Sequence, residues 1–313
     1  MNSFDLDKIS KKSKIKTVDV LNIINLIKTK TPTVSELIKE TNLSHGQIKS
    51  LLLSIAPVVN YSKSSPRLTI TKKGEYLIPK QNDVKAGDFN RRDLEKFISY
   101  SKQLMPPPKR EFDQFYATTE TVVGRIEKFI EEKDLQNRRI LFLGDDDLTS
   151  LATAYTFKAQ EVAVLEIDAA ILHVIEKMSK EQHLKINYRS WDLKKAIPKE
   201  FLHRFDTVFT DPPYTEDGFN LFLRRSLEAT KENSLSSHYI CYGTSSLSRE
   251  RSLKIQKIID QYGLFIREKI PGFNKYIKGA ETVGNVSDLY MLEKTPQTKL
   301  GKTGSIKRLY TWE

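Results

Sequence analysis

At 313 residues and a formal net charge of +11, the chain exceeds one average domain, and two domains are the starting expectation. Hydrophobic residues make up 39% and charged residues 29%, with no apolar run long enough to span a bilayer, which excludes a helical membrane span. No signal-like apolar core follows the basic N-terminus, so a cytoplasmic location is expected.

The single cysteine, Cys241, excludes an internal disulfide and a multi-cysteine metal site, and its apolar neighbours predict a buried strand residue. His45, His173, His183, His203 and His238 show no metal-ligand spacing, so no metal is expected. The positive excess is diffuse and densest near the termini, at Lys8 to Lys16 and Lys294 to Arg308, as on an ordinary solvated surface.

In chain order, residues 1–80 predict a winged helix-turn-helix-like domain. Val20, Ile23, Ile24 and Ile27 recur at helical spacing, and Thr33 with Glu36 and Ser44 with Gln47 each fit a capping box. Val58 to Tyr61 and Leu68 to Thr71, separated by a Ser/Pro-rich turn, read as a hairpin wing. The second short helix offers His45, Gln47 and Lys49 and then turns apolar, without the arginines and asparagines that read base edges, so an interaction or dimerisation role ranks above DNA recognition. Residues 81–110 carry mixed charge and end in Met105-Pro106-Pro107-Pro108, which predicts a stiff linker.

From 111 to 313 the pattern predicts a Rossmann-like α/β domain with a basic C-terminal tail. After an amphipathic helix from Thr121 to Lys133, apolar strands alternate with helices: strands are expected at 138–144, 161–168, 185–192, 205–214, 237–243, 264–270 and 288–294. This alternation predicts a parallel sheet covered on both faces.

Acidic residues fall at the ends of successive strands, where an open parallel sheet forms its ligand crevice. Gly144-Asp145-Asp146-Asp147 follows the first, Glu166-Ile167-Asp168 the second, Trp191-Asp192 the third and Asp211-Pro212-Pro213-Tyr214 the fourth. Any one acid suffices as a helix cap; three adjacent aspartates repel one another, and a cationic ligand offsets that cost. The prolines after Asp211 fix an irregular loop in which an oxygen accepts from an amine while Tyr214 covers it.

The Asp-Pro-Pro-Tyr run resembles motif IV of amino-methyltransferases, which places the domain among class I methyltransferase-type folds. The first loop, however, is acidic rather than glycine-rich. Ordinary S-adenosylmethionine brings a carboxylate to such a loop, whereas decarboxylated S-adenosylmethionine is a dication. Taken together, Gly144 to Asp147, Leu165 to Asp168, Trp191 to Leu193 and Asp211 to Gly218 closely resemble the branched-chain polyamine synthases. The likeness extends to Arg110 to Gln114 and Thr118 to Thr121, similar to that family's Asp-Gln and Thr-x-Glu-Thr element.

The resemblance implies transfer of an aminopropyl group from decarboxylated S-adenosylmethionine to spermidine or a related polyamine, by a homodimer. It assigns amine deprotonation to the Gly-Asp-Asp-Asp run, with Asp147 favoured and Asp145 and Asp146 supporting. Asp211 and Tyr214 would orient the amine; Gly144, Glu166 or Asp168, Asp192 and Gln114 would hold the cofactor. Glu216, Asp217 and Glu281 are candidates for anchoring distal ammonium groups, with surface acids as the plainer alternative. Two other functions stay open: a methyltransferase acting on a nucleic-acid base amino group, and a winged-helix regulator that senses an adenosyl or polyamine ligand.

Overall fold

The computed structural model describes residues 5–62, 65–77, 90–232, 235–243, 249–277, 285–301 and 306–311. It divides into two compact units, Met1–Gly87 and Asp88–Glu313.

The first unit contains α1 (Leu6–Ser13), α2 (Thr17–Lys30), α3 (Val34–Thr41), α4 (His45–Ser54), an antiparallel pair β1 (Val59–Ser62) and β2 (Ser65–Ile70), and α5 (Lys72–Leu77). Both capping boxes are present: Thr33 and Glu36 exchange hydrogen bonds at the start of α3, as do Ser44 and Gln47 at α4. Val20, Ile23, Ile24 and Ile27 point inward from α2 and meet Leu37, Ile48, Leu51 and Leu68.

The second unit begins with α6 (Arg91–Gln103), which corrects the expectation of a linker for the described part of 81–110; residues 81–89 lie outside the described residues. Leu94, Phe97 and Ile98 recur on one face and are buried in the core of this unit, so residues 91–103 are integral to it. A short 3-10 turn (Arg110–Phe112) leads to α7 (Thr119–Glu131), followed by β3 (Arg139–Leu143), α8 (Thr149–Tyr155), β4 (Glu161–Glu166), α9 (Ala169–Glu181), β5 (Ile186–Ser190), β6 (Thr207–Thr210), α10 (Glu216–Ala229), β7 (Ser237–Tyr242), α11 (Arg249–Gln261), β8 (Leu264–Lys275) and β9 (Val286–Lys294).

The sheet order is β5-β4-β3-β6-β7-β9-β8. β3 through β7 pair in parallel, while β9 inserts antiparallel between β7 and β8. The sheet is therefore mixed, not wholly parallel as expected, because residues 276–285 are too few for the crossover a parallel pair needs. On β3, Ile140 and Phe142 pack on one face and Leu141 and Leu143 on the other, and all four are out of contact with water. Buried on both faces, a strand is a continuous apolar run rather than an alternating one. The chain winds outward from β3 through β4 to β5, then returns to β6 and winds the other way. That reversal leaves a crevice at the carboxyl ends of β3 and β6, from which the Gly-Asp-Asp-Asp and Asp-Pro-Pro-Tyr loops project.

Candidate active site

The loop after β3 turns at Gly144, whose φ of +71° is costly for any residue with a Cβ. Glu166, at the end of β4, holds the turn: its Oε2 accepts the Asp145 amide at 2.7 Å and its Oε1 the Asp168 amide at 2.7 Å. The three aspartates then part company. Asp145 is buried, and both of its oxygens accept the Ser150 amide at 3.2 Å, which makes it a cap for α8; burial raises its pKa well above the ordinary carboxylate range.

Asp147 is also buried, with both oxygens engaged. Oδ1 accepts the Ala117 amide at 2.5 Å and Oδ2 the Arg125 guanidinium at 2.6 Å. Asp146 differs from both: half-exposed, it lines a cleft with Asp211, Tyr214, Tyr276 and Phe115, and its carboxylate has no hydrogen-bond or ion-pair partner among the described residues. Burial, then the negative charges of Asp147 and Asp211, push its pKa well above normal.

Asp211, at the end of β6, accepts from Tyr214 at 2.9 Å on Oδ1, and on Oδ2 from Tyr276 at 2.7 Å and Arg125 at 3.0 Å. The two phenol oxygens also contact one another, and Tyr276 reaches Ser287 Oγ at 2.8 Å. Burial raises the pKa of Asp211 even though Arg125 opposes the shift. The charged side chains lining this cleft among the described residues, Asp113, Asp146 and Asp211, are all acidic.

A second pocket opens between the ends of β3, β4 and β5, lined by Gly144, Glu166, Trp191, Asp192, Phe222 and Tyr310 among others. Flat rings with one carboxylate at the edge suit adenine and its amino group, and Glu166 keeps spare lone pairs for ribose hydroxyls. Asp168 faces elsewhere. Its oxygens are taken by Lys109 at 2.8 Å, Gln114 at 2.9 Å and the Ala170 amide at 2.9 Å, at the start of α9. Burial alone would raise its pKa, but Lys109 and Gln114 hold it below normal. Gln114 also accepts the Lys109 amide at 2.8 Å, so both ends of its side chain are committed to fixing Asp168.

Of the candidate ammonium anchors, Glu216 pairs with Lys254 at 2.6 Å, and Asp217 Oδ2 accepts the amides of Lys307 and Arg308 at 2.7 and 2.9 Å. Glu281 lies outside the described residues. Cys241 is buried on β7. Among the described residues, no group of His, Cys, Asp and Glu side chains is placed to hold a metal ion. No helix among the described residues is long and apolar enough to cross a membrane.

Sequence reasoning missed Arg125 and Tyr276. Arg125 carried a readable signal, since it falls on the apolar face of α7 beside Val122, Ile126 and Phe129, where a charge needs a buried counter-ion. Tyr276 carried none, because nothing local ties it to a loop 65 residues earlier in the chain.

Residues 93–306 match the branched-chain polyamine synthase A C-terminal domain. An uncharacterised protein of Methanocaldococcus jannaschii is 42% identical over 64% of this chain and 49% of its own length. The N(4)-bis(aminopropyl)spermidine synthase of Thermococcus kodakarensis is 30% identical over 67% of this chain and 64% of its own. The chain thus spans about half to two thirds of these two relatives. The crystal structure of the branched-chain polyamine synthase from Thermus thermophilus, in complex with N4-aminopropylspermidine and 5'-methylthioadenosine, superposes with a TM-score of 0.63 at 21% identity, covering 98% of each chain. By the match over residues 93–306, the chain belongs to the branched-chain polyamine synthase family.

Proposed function

We propose that this protein transfers an aminopropyl group from decarboxylated S-adenosylmethionine to an amine of spermidine or a related polyamine, giving a branched polyamine and methylthioadenosine. The observation that carries the reading is the juxtaposition of a ring-lined pocket with a cleft whose charged lining residues among those described are all acidic. Such a cleft repels the carboxylate of ordinary S-adenosylmethionine and attracts a polycationic amine. The Thermus thermophilus enzyme of the same family binds N4-aminopropylspermidine and 5'-methylthioadenosine, one polyamine and one nucleoside, which supports assigning one such ligand to each compartment.

The donor supplies an electrophilic carbon: its bond to sulfur breaks as the bond to the amine nitrogen forms, and methylthioadenosine leaves. Trp191, Phe222 and Tyr310 would sandwich the adenine, Asp192 would accept from its amino group and Glu166 from the ribose. In the acceptor cleft, Asp211 with Tyr214 and Tyr276 would orient the amine. Asp146 would take its proton, because a half-exposed carboxylate with a raised pKa is both accessible and a stronger base. This moves the base from Asp147, whose oxygens are both occupied, to its neighbour. Proximity of the two bound reactants supplies much of the acceleration.

For the N-terminal unit, the arrangement of α2, α3, α4 and the β1–β2 hairpin supports a winged-helix-like reading. Gln47 and Ser50 on α4 donate to the Lys14 and Lys12 carbonyls, at 3.3 and 3.1 Å. Two polar groups that a base reader would present are thereby used internally, which favours an interaction role over DNA recognition.

The test is to incubate the full chain with spermidine and either the decarboxylated or the ordinary cofactor, and to follow amines, methylthioadenosine and S-adenosylhomocysteine by mass spectrometry. Methylthioadenosine together with a branched amine, lost in Asp146→Asn, is the expected result. S-adenosylhomocysteine formation from the ordinary cofactor, without aminopropyl transfer, would overturn it. Greater loss in Asp147→Asn than in Asp146→Asn would return the base to Asp147.

A further inference from the structure

Arg125 is fully buried, and each guanidinium nitrogen is committed. Nε donates to Asn274 Oδ1 at 2.9 Å, Nη1 to Asp147 Oδ2 at 2.6 Å and Thr149 Oγ1 at 3.1 Å, and Nη2 to Asp211 Oδ2 at 3.0 Å. Its plane lies over the Phe209 ring, 4.6 Å from the centroid. A guanidinium does not give up its proton in a protein, so this site carries a fixed positive charge. The rest of the buried face of α7 is mainly apolar and would pack as well with a leucine. Such a replacement would strand two carboxylates, buried Asp147 on the loop after β3 and largely covered Asp211 on the loop after β6. The planar fork spans both loops at once, which a single ammonium cannot do.

We infer that Arg125 is a positioning residue for aminopropyl transfer: it clamps Asp147 and Asp211 to one another across the switch-point crevice, leaving Asp146 as the carboxylate between them that is free to accept the amine proton. This rests on the reading of the site given above. Arg125 touches neither reactant; it acts through the two aspartates. With the clamp in place, one positive charge offsets two negative charges next to Asp146. Without it, both oppose ionisation of Asp146, and the base is present as carboxylate only at higher pH.

Two measurements on the full chain separate this inference from the proposed activity. In Arg125→Gln, which removes the charge but keeps polar groups at the site, kcat should fall about 10- to 100-fold and the acid limb of kcat/KM should move up by about one pH unit, a shift that lost packing alone would not produce. Wild-type kcat/KM and an unmoved acid limb in that variant would overturn the inference. The second measurement needs no turnover. Arg125→Met should melt well below the wild type, and adding Asp147→Asn should restore part of the loss, because the stranded charge is then removed. If the double variant melts no higher than Arg125→Met, the clamp is refuted even in an active enzyme. If the cycle shows coupling in a protein with no aminopropyl transfer, the clamp stands and the reading of the activity fails.

Discussion

The Glu166 carboxylate accepts the Asp145 amide at 2.7 Å, so the end of β4 sets the shape of the loop that follows β3. The same side chain lines the ring-walled pocket proposed for the adenosyl group, which would tie loop geometry to ligand affinity. In Glu166→Gln, one of the two accepting oxygens becomes a donor that faces a backbone donor. An unsatisfied buried group costs roughly 1–3 kcal/mol. Methylthioadenosine binding, measured by calorimetry, should therefore weaken about 10-fold or more, and an unchanged affinity would remove Glu166 from the pocket.

Tyr276 reaches across the cleft to Asp211 Oδ2 at 2.7 Å and to Ser287 Oγ at 2.8 Å. Tyr276→Phe deletes both bonds and leaves Asp211 less firmly aimed. Hydrogen bonds to charged groups contribute roughly 1.5–3 kcal/mol, so kcat/KM for the amine should fall about 10-fold or more. The KM of the nucleoside-bearing donor should change little, because Trp191, Phe222 and Tyr310 are untouched. Equal losses for both reactants would mean that the substitution disturbs the fold rather than the acceptor cleft.

Two groups, half-buried Asp146 and buried His238, pull stability in opposite directions with pH. Burial, Asp147 and Asp211 raise the pKa of Asp146, so its contribution is full below the unfolded value of about 3.9 and is lost as pH rises through the folded value. Asp146→Asn escapes that loss and should melt above the wild type at pH 8, with the gap closing on acidification. Burial of His238 on β7 lowers its pKa from 6.5 to about 3. Its contribution is full above 6.5 and is lost as pH falls toward 3, at up to about 1.4 kcal/mol per pH unit. His238→Gln should therefore lose less stability than the wild type in urea unfolding between pH 6.5 and 4.5; parallel curves would show that the imidazole is not held neutral.

The strands and their terminal acids were legible because a strand buried on both faces is a short apolar run, and Ile140 to Leu143 and Val162 to Leu165 are such runs. Which aspartate of the three faces the cleft was not legible. That depends on turn geometry at Gly144 and on Arg125, which is 22 residues from Asp147 in sequence. Leu94, Phe97 and Ile98 were readable as a helical face, but the surrounding charges and the prolines beyond drew attention to a linker. The antiparallel insertion of β9 follows from a short connection rather than from anything in the composition of either strand.

Leu309 stands near the end of the basic tail and is 1% exposed, packed with Leu143 and Phe222 in the apolar layer beneath the pocket lined by Trp191 and Tyr310. The segment is pinned on both sides: Thr215 Oγ1 donates to the Leu309 carbonyl at 2.7 Å, and the Thr311 amide donates to Asp113 Oδ2 at 2.7 Å. Residues 309 to 311 therefore form part of the wall between the two compartments. Leu309→Ala opens a cavity there, at a cost of roughly 2–5 kcal/mol to stability. Methylthioadenosine affinity should drop with it, because Tyr310 loses the packing that sets its ring against the pocket. Leu300→Ala, at a position 46% exposed, should leave both quantities near wild type. If Leu309→Ala lowers the melting temperature while methylthioadenosine binds as before, the tail supports the fold without shaping the site.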